Sequence, residues 1–570
     1  MTVQKKSQTQ FPWLKSYPND IPWDSKISEG LVHDLMEEAA TKFGQSSCID
    51  FMGKKYTYIQ TNDLVSRVAK GLQNMGLKKG MKVGLFMPNA PHYIFFYFGV
   101  LRAGGTVVNY SPLYAGREIA SQIEDSETDF MVTLDLALLY DKLLPLLSET
   151  RLKKLIICPL AGALPFPKNY LFPIFKAKDV AKITWDDHHV SFTQLVDNDG
   201  DPRKIDIDLH EDIALLQYTG GTTGIPKGAM LTHANVYANV CQAQLWFDPI
   251  KPSGEKILAA LPLFHVFAMT AVMTLAVRTG SEMVMMFPRY DTLEAMKLIQ
   301  KHQITFFPAV PTIYNMIASH SKVSEFDLSS LKACLSGGAA LPADVKRRFE
   351  TLTGCKLIEA YGLSETSPAA TSNPLMGISK ENSIGLPFPG TTVRIMSRED
   401  QTHEVPLGEK GEICIQGPQV MKGYWKRPDE TAHVLHNGLF HTGDVGYMDE
   451  EGYTFLVDRI KDLIITNGYN VYPRVVEEAI NLHPSVQEVT VIGIQDKRKG
   501  EVPKAFVKLH EGAALTEEDL REFLRDKVSP LEIPVHVEFR AELPKTIIGK
   551  LSKKELVAEE AAKAKDTGEA

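Results

Sequence analysis

Apolar positions follow a helical period and a strand period in turn along the first part of the chain. Residues 31–43 carry apolar side chains at helical spacing, whereas residues 82–87 and 105–108 are short apolar runs typical of buried strands. This alternation predicts a doubly wound α/β sheet. It resumes further along the chain, where helices and strands are predicted at residues 213–216, 231–244, 257–261, 282–287, 293–302, 304–307 and 311–320. The helix within 231–244 is predicted to open near Thr232.

The pattern changes after residue 384. Short strands separated by Gly and Pro occupy residues 384–416 and predict a small, distorted β-barrel beside the α/β layers. A charged run at 458–462 indicates a domain boundary, and the segments beyond it predict a compact α+β unit. The Ala/Glu/Lys-rich tail, residues 558–570, is predicted to be disordered. The predicted organisation is a large domain (1–457) followed by a small one (462–557).

Composition is that of an ordinary globular protein. Of its residues, 44% are hydrophobic and 23% are charged. A chain of 570 residues is too long for one hydrophobic core, so at least two domains are expected. A formal net charge of -8 offers no general basic surface, so no nucleic-acid partner is predicted. The six cysteines lack paired spacing, which is typical of a reducing compartment. No apolar run follows Lys5 and Lys6, so no signal peptide is predicted and a cytoplasmic location is expected.

Two apolar segments need separate interpretation. Residues 257–277 carry no charge and could span a bilayer, but Pro262 and His265 interrupt them, which favours a strand, a loop and a buried helix. Residues 160–178 mix aromatic and aliphatic side chains with proline and lysine. That segment could form a peripheral contact with the inner face of a membrane. A loop packed on its own domain is the favoured alternative.

Residues 218–228, Tyr-Thr-Gly-Gly-Thr-Thr-Gly-Ile-Pro-Lys-Gly, have the composition of a phosphate-binding loop. Glycines allow backbone N–H groups to converge on an anion, hydroxyls add donors, and Lys227 supplies positive charge. A Walker A loop is excluded, because Lys227 lies between Pro226 and Gly228 and is not followed by Ser or Thr. A Gly/Thr-rich surface turn is the alternative for this stretch taken alone.

Five further motifs follow this loop in a fixed order. They are Tyr-Gly-Leu-Ser-Glu-Thr at 361–366, Gly-Leu-Phe-His-Thr-Gly-Asp at 438–444, Asp-Arg-Ile-Lys-Asp at 458–462, Gly-Tyr-Asn-Val-Tyr-Pro at 468–473 and Pro-Lys-Thr-Ile-Ile-Gly-Lys at 544–550. Together the six resemble the adenylate-forming superfamily of acyl-CoA synthetases and luciferases. The run 437–473 is most similar to bacterial long-chain fatty acid CoA ligases. The resemblance implies that a carboxylate attacks the α-phosphorus of ATP and that the acyl-adenylate is then captured by coenzyme A.

The resemblance also implies a nucleotide site. Glu365 would offer a carboxylate oxygen to Mg²⁺, Tyr361 would lie against adenine, and Asp444 would accept hydrogen bonds from the ribose hydroxyls. The whole implied ATP/AMP-binding set is Thr219, Gly220, Gly221, Thr222, Thr223, Gly224, Lys227, Gly338, Ala339, Glu359, Ala360, Tyr361, Gly362, Ser364, Asp444, Arg459 and Lys550.

Four residues are implied in catalysis. Lys550 would offset the repulsion between the carboxylate and the triphosphate, Lys227 would hold the departing pyrophosphate, Glu365 would hold the metal, and His265 would lie near the acyl carboxylate. The resemblance further implies that the small domain rotates about a hinge, residues 458–461 with Lys461, and that Gly468 and Tyr469 then line a tunnel for coenzyme A.

An acyl pocket is implied as well, with small glycines behind the carboxylate that suit a long chain. Its implied residues are Phe264, Phe267, Met269, Val310, Thr312, Gly337 and Gly338. The predicted function is therefore ATP- and Mg²⁺-dependent synthesis of long-chain acyl-CoA. Alternatives are a medium-chain or aryl acid CoA ligase, an enzyme that loads a carrier-protein thiol, and an inactive acyl-binding protein. A homodimer is left open.

Overall fold

The computed structural model describes residues 11–219, 226–247, 254–467, 469–496, 499–546 and 549–566. The first group of elements alternates strands with helices. It consists of α1 Asp34–Phe43, β1 Ser47–Phe51, β2 Lys54–Thr57, α2 Tyr58–Asn74, β3 Lys82–Phe86, α3 Pro91–Arg102, β4 Thr106–Tyr110, α4 Gly116–Ser126, β5 Thr128–Leu134, α5 Ala137–Leu143, α6 Leu146–Glu149, β6 Lys154–Cys158, α7 Leu160–Ala163, α8 Lys168–Phe175, β7 His189–Ser191 and α9 Phe192–Val196.

The second group continues this alternation. Its elements are β8 Ile213–Thr219, β9 Lys227–Thr232, α10 His233–Trp246, β10 Lys256–Ala259, α11 Val266–Ala268, α12 Leu275–Thr279, β11 Glu282–Met285, α13 Thr292–His302, β12 Phe306–Ala309, α14 Pro311–Ala318, β13 Ala333–Gly337, α15 Ala343–Thr353, β14 Lys356–Gly362, β15 Ala369–Ser372 and β16 Leu386–Pro387. A π-helical turn, Met269–Thr274, joins α11 to α12.

These elements form two α/β layers, which confirms the predicted class. One sheet has the strand order β16-β15-β14-β13-β12-β10-β11-β1-β2 and the other β19-β9-β8-β4-β3-β5-β6-β7, where β19 is Gly423–Tyr424. The central strands of both sheets are parallel, and antiparallel strands lie at the edges. Parallel strands bury both faces and therefore have the continuous apolar runs seen in the sequence. Among the described residues, one large core unites both sheets.

Helix starts follow the sequence closely. Thr232 caps α10 by accepting a hydrogen bond from the N–H of Asn235, whose side chain accepts from the N–H of Thr232 in return. This reciprocal pair satisfies two backbone donors that the first helical turn leaves without partners. The prediction of a helix that opens near Thr232 is confirmed, and Thr57 and Ser191 cap α2 and α9 in the same way.

The region predicted as a small β-barrel is a five-stranded antiparallel sheet. Its elements are β17 Thr392–Met396, β18 Gly411–Gln416, α16 Pro428–Val434, β20 Leu435–His436, β21 Leu439–Met448 and β22 Thr454–Arg459. β21 pairs with β18 on one side and with β20 and β22 on the other. In the described part of the chain the outer strands β17 and β20 do not pair with each other, and β20 is only two residues long, so the sheet stays open.

The small domain has cores of its own, built from residues after Ile464. Its elements are β23 Ile464–Thr466, β24 Tyr469–Val471, α17 Pro473–Asn481, β25 Val486–Asp496, β26 Gly500–Leu509, α18 Glu517–Leu524, β27 His536–Phe539 and α19 Lys553–Asp566. The predicted disorder of the tail from residue 558 is wrong as far as residue 566. Leu556 is fully buried, and Glu559 and Glu560 pair with Arg540 and Lys504, which attaches α19 to the domain.

The two ambiguous apolar segments have different outcomes. Residues 257–277 form β10, a loop and buried helices, as predicted, and none of the described helices has the length and apolar character to cross a bilayer. Residues 160–178 form α7 and α8, and α8 buries none of its residues. The segment is thus helical, and Leu160, Ala163, Leu164 and Phe172 pack on the core of their own domain, whereas most of α8 is exposed. All six cysteines are free and buried, in agreement with the absence of a disulfide framework.

Candidate active site

A cleft of about 890 Å³ lies where the carboxyl ends of β8, β13 and β14 meet the antiparallel sheet and the small domain. Open α/β sheets bind ligands at this edge, and the volume suits a ligand of substantial size. The predicted site residues that line the cleft are Thr219, Lys227, Phe264, His265, Phe267, Gly337, Gly338, Ala360, Tyr361, Gly362, Ser364, Glu365, Asp444, Arg459, Lys461 and Lys550. Residues far apart in sequence thus share one wall.

Asp444 is the centre of the polar end. Its Oδ2 accepts a hydrogen bond from the hydroxyl of Tyr361 at 2.7 Å, and its Oδ1 lies 3.1 Å from Nε of Arg459. Burial raises the pKa of Asp444, while the charge of Arg459 and the Tyr361 hydrogen bond oppose that rise. Asp444 in turn raises the pKa of Arg459. A buried carboxylate with a charged partner is suited to accept hydrogen bonds from hydroxyl donors.

Glu365 is also buried, and only one of its oxygens is engaged within the described chain. Oε1 accepts a hydrogen bond from the hydroxyl of Tyr424 at 2.7 Å, and Oε2 has no hydrogen bond to a described residue. The ammonium of Lys227 lies 5.4 Å from the centre of the Tyr424 ring, within cation–π range. Tyr424 therefore contacts both a carboxylate and an ammonium that face the cleft.

The start of the predicted phosphate-binding loop is fixed by a second tyrosine. The hydroxyl of Tyr218 donates to Oδ2 of Asp125 at 2.6 Å, and Nη2 of Arg427 donates to Oδ1 of Asp125 at 2.9 Å. Asp125 lies in α4, so it joins the end of β8 to the segment that follows β19. Lys227 begins β9, which pairs antiparallel to β8. Gly220, Gly221, Thr222, Thr223 and Gly224 lie outside the described residues.

Lys550 reaches the cleft from the small domain. Its side chain packs on Gly338, where an added Cβ would lie 2.6 Å from Cε of Lys550 and where φ is +85°. The hydroxyl of Thr312 donates to the carbonyl of Gly549 at 3.0 Å and holds the preceding turn. Burial, and then the charge of Arg459, lower the pKa of Lys550 to about 8. The two domains thus meet with this ammonium aimed into the large domain.

His265 lines the same cleft and interacts electrostatically with Lys550. Its Nδ1 accepts the backbone N–H of Phe267 at 3.2 Å. Burial lowers the pKa of His265 to about 3, and the charge of Lys550 acts in the same direction. The imidazole is therefore neutral at pH 7, with its proton on Nε2, where it can donate a hydrogen bond.

Beyond His265 the cleft becomes apolar. The ring of Phe267 lies against Gly337, where an added Cβ would be 3.0 Å from Cζ of Phe267. The π-helical turn Met269–Thr274 supplies part of the wall. The largely apolar lining of this end comprises Ala243, Phe247, Phe264, Val266, Phe267, Thr270, Ala271, Leu335, Ala369 and Phe388.

Six predicted site residues lie away from the cleft wall. Val310 and Thr312 support the turn at Gly549 instead of lining the pocket. Met269 is fully buried in the core, and Tyr469 is 66% exposed. Ala339 also lies off the wall.

Glu359, the sixth, lines a separate small cavity. It accepts the N–H of Leu341, and burial raises its pKa to about 7. Gly468 lies outside the described residues.

Two residues that the structure brings to the cleft were not predicted from the sequence. Tyr424 bridges Glu365 and Lys227, and Glu412 contacts the turn before Asp444. Both lie in strands, where alternating burial is the only local signal. A tyrosine or glutamate at such a position is indistinguishable from an ordinary strand residue until the partner strand is known.

The profile of the family described as "AMP-binding enzyme" matches residues 36–425, and that of the "AMP-binding enzyme C-terminal domain" matches residues 475–550. The long-chain-fatty-acid–CoA ligase of Bacillus subtilis (strain 168) is 44% identical over 557 residues, which cover 97% of this chain and 99% of the relative. The long-chain-fatty-acid–CoA ligase of Escherichia coli O6:H1 (strain CFT073) is 37% identical, with coverage of 95% and 97%.

Solved structures agree on the architecture. An ATP-bound RpMatB-BxBclM chimera superposes with a TM-score of 0.82 at 27% identity and covers 93% of this chain and 99% of its own. ATP-bound MatB from Rhodopseudomonas palustris gives a TM-score of 0.81 at 27% identity, with coverage of 92% and 98%. Both matches extend over the large and the small domain.

Proposed function

The chain belongs to the AMP-binding enzyme family, and from that membership we propose that it joins a long-chain fatty acid to coenzyme A, with ATP converted to AMP and pyrophosphate. Relatives named long-chain-fatty-acid–CoA ligase, 44% and 37% identical over nearly their whole length, support this substrate class. The observation that carries the proposal is the position of Lys550. Its side chain packs on Gly338, and its ammonium interacts electrostatically with His265 and with Asp444, the proposed ribose-binding carboxylate.

In the first half-reaction an oxygen of the fatty acid carboxylate attacks the α-phosphorus of ATP, and the bond from that phosphorus to the bridging oxygen breaks. The ammonium of Lys550 offsets the repulsion between the two anions and stabilises the charge that builds up in the transition state. Asp444 accepts hydrogen bonds from the ribose hydroxyls and so fixes the nucleotide. Lys227, 5.4 Å from the Tyr424 ring, offsets the charge of the departing pyrophosphate.

The site suits a magnesium ion at Glu365. This carboxylate is buried, one oxygen is held by Tyr424, and the other faces no described hydrogen-bond donor. Hard oxygen ligands of this kind are those that Mg²⁺ prefers, together with phosphate oxygens. A bound Mg²⁺ would neutralise phosphate charge. Tyr424 keeps the Glu365 carboxylate in one orientation toward the phosphates.

In the second half-reaction the thiol sulfur of coenzyme A attacks the acyl carbonyl carbon and AMP leaves. Lys550 occupies the cleft in the structure, so we infer that the small domain rotates about residues 458–461, at the carboxyl end of β22, before the thiol enters. Lys461 lines the cleft, and burial lowers its pKa. Rotation would expose this ammonium and carry Tyr469 from its solvent-exposed position toward the thiol path.

We also propose that residues 160–178 contact a membrane. Five apolar side chains of this segment are solvent-exposed to between 42% and 81%: Phe166, Tyr170, Leu171, Ile174 and Phe175. Lys168, Lys176 and Lys178 flank them in a chain whose formal net charge is -8. Apolar side chains beside lysines suit an anionic bilayer surface. The proposed location is therefore cytoplasmic, with peripheral contact at the inner face of the membrane.

Sedimentation with vesicles of phosphatidylethanolamine and phosphatidylglycerol tests this contact. Changing Phe166, Ile174 and Phe175 to Ser should abolish sedimentation. Leu113→Ser with Ile378→Ser serves as a control, because both residues are 67% exposed outside the segment. Equal sedimentation of both variants would contradict the membrane contact. A homodimer stays a prediction, which light scattering of the purified protein decides.

Product analysis tests the function. With palmitate, ATP, Mg²⁺ and coenzyme A, we expect equal amounts of palmitoyl-CoA and AMP by mass spectrometry. ADP in place of AMP would contradict adenylate formation. AMP without a CoA thioester, when a carrier-protein thiol is accepted instead, would favour the carrier-loading alternative.

A further inference from the structure

The strand pair before Asp444 is irregular. Glu412 of β18 pairs with Val445 of β21, whereas Cys414 pairs with His441, so residues 442–444 face a single residue of the partner strand. Gly443, in the middle of this bulge, has φ of +73°. A bulge of this kind changes the direction of the side chain that follows it. The direction of Asp444 therefore depends on what holds the bulge.

Glu412 holds the bulge with both carboxylate oxygens. Oε1 accepts the backbone N–H of Gly443 at 2.9 Å, and Oε2 lies 2.9 Å from Nδ1 of His441. Nε2 of Gln401 donates to the same Oε2 at 3.3 Å. Glu412 is 3% exposed and His441 5%. Hydrogen bonds to a buried carboxylate are strong, and removing the acceptor would leave the Gly443 N–H without a partner.

The other end of the bulge is fixed by Thr442. Its hydroxyl donates to the carbonyl of Ile413 at 2.6 Å and accepts the N–H of Asp444 at 3.1 Å. The backbone N–H groups of Gly443 and Asp444 are thus tied to β18 through the side chains of Glu412 and Thr442. The side chain of Asp444 is thereby held in the orientation in which its two oxygens contact Tyr361 and Arg459.

We propose that Glu412 is a positioning residue for ribose recognition, acting through the bulge on Asp444. This inference rests on the proposed function, because it takes Asp444 as the acceptor of the ribose hydroxyls. Glu412 lies at the edge of the cleft, but its oxygens are already engaged by Gly443, His441 and Gln401. Its effect is therefore on the direction of Asp444 and not on the nucleotide itself.

A metal site is the competing interpretation of the same cluster. One ligand atom each from Glu412, Cys414 and His441 lie within 4.8 Å of one another. Sγ of Cys414 lies 3.3 Å from the same Nδ1 of His441 that contacts Glu412. Because that nitrogen and both carboxylate oxygens already form hydrogen bonds within the protein, the structure favours a hydrogen-bonded support.

Calorimetric binding of AMP and 2′-deoxy-AMP to the whole chain tests the inference without catalysis. One hydrogen bond to a charged group corresponds to roughly a tenfold to hundredfold difference in affinity, so the wild type should prefer AMP by about that factor. In Glu412→Ala the preference should fall toward one. Glu412→Gln should retain most of the AMP preference. Its amide oxygen can accept from the N–H of Gly443, and its amide N–H can donate to Nδ1 of His441 when the imidazole proton is on Nε2.

Three further measurements separate positioning from a general loss of structure. Glu412→Ala should raise the KM for ATP while the KM for palmitate and the thermal midpoint stay close to wild type. If Glu412→Ala does not fold, Thr442→Val loosens the same bulge and should lower the AMP preference. Glu404→Ala, on an exposed glutamate between β17 and β18, is the matched control and should retain the AMP preference.

Three outcomes would overturn the inference. If Glu412→Ala keeps the full preference for AMP, the positioning role of Glu412 is contradicted and the proposed function is not affected. A wild type that binds neither nucleotide would contradict the proposed function and the inference with it. A zinc-dependent change in AMP affinity that disappears in Cys414→Ser would assign the cluster to metal binding instead.

Discussion

The two ends of the cleft are built on different physical principles. At the polar end, Asp444, Arg459 and Glu365 each have named partners at hydrogen-bond or ion-pair distance. At the apolar end, the ring of Phe267 makes apolar contact with Gly337. A hydrogen bond or ion pair is lost when one of its atoms is removed, whereas the free energy of apolar contact changes gradually with side-chain volume. Lys550 lies where the two ends meet, so substitutions there should have the largest effects.

Lys550→Ala should have the largest effect. Loss of a positioned charge that stabilises a transition state lowers the rate by about 10²–10³-fold, so pyrophosphate release should fall by that factor. Thioester formation from supplied palmitoyl-adenylate should be unchanged, because Lys550 is then out of the cleft. Rapid-quench assays of each half-reaction measure both. Lys554→Ala, an exposed neighbour, is the control, and equal loss in both steps would contradict the role of Lys550.

Gly338→Ala should disturb Lys550 from the opposite side. The added Cβ would lie 2.6 Å from Cε of Lys550, so the ammonium must move. A displacement of about 1 Å can cost up to 10²-fold in rate, and we expect a loss of at least about tenfold in adenylation. Gly354→Ala is a matched control: its φ is +71° with no atom within 4 Å of the added Cβ. Equal losses in the two variants would mean that backbone strain, and not the lysine, is responsible.

The pH dependence should report the same group. The pKa of Lys550 is lowered to about 8, so the ammonium is present below pH 8 and is lost as the pH rises. kcat/KM for ATP should therefore fall above pH 8, approaching tenfold per pH unit. Lys550→Arg stays charged in this range, and its residual activity should lack that decline. A decline retained in Lys550→Arg would assign the titration to another group.

Phe267→Ala should have the smallest effect and should alter selectivity. The ring that contacts Gly337 is removed, and the apolar pocket gains volume. Each additional buried methylene contributes about 0.8 kcal/mol, so the ratio of kcat/KM for palmitate to that for octanoate should change severalfold. Met269→Ala, in the same segment but away from the cleft wall, should alter stability and leave this ratio unchanged. A ratio unaltered by Phe267→Ala would remove this ring from the acyl end.

Sequence reasoning succeeded where local chemistry determines structure. The cap at Thr232 and the motif around Glu365 depend on residues close together in the chain, and both positions could be named in advance. Glu412 and Tyr424 could not, because their roles depend on which strand lies beside them. The same applies to α8. An apolar segment is expected to be covered, and only the fold reveals that nothing in the described chain packs over Phe175.

Glu359 shows that residues adjacent in sequence need not line the same cavity. It directly precedes Ala360 and Tyr361, which line the cleft, yet it lines a separate cavity beside Leu341. Ala360 points to the opposite face of the sheet from Glu359, whereas Tyr361 shares that face but lies nearer the carboxyl end of β14. Position along the strand, as well as the face, therefore decides which members of a motif reach one site. The order of motifs predicted the superfamily and the architecture, and the direction of each side chain had to come from the strand pairing.

Pyrophosphate release compared among palmitate, octanoate, acetate and benzoate tests whether one cleft joins a nucleotide site to an apolar pocket built for a long acyl chain. With saturating ATP, Mg²⁺ and coenzyme A, we predict the highest kcat/KM for palmitate, a lower value for octanoate, and little release with acetate or benzoate. Faster release with benzoate or acetate than with palmitate would contradict the assignment of the apolar end.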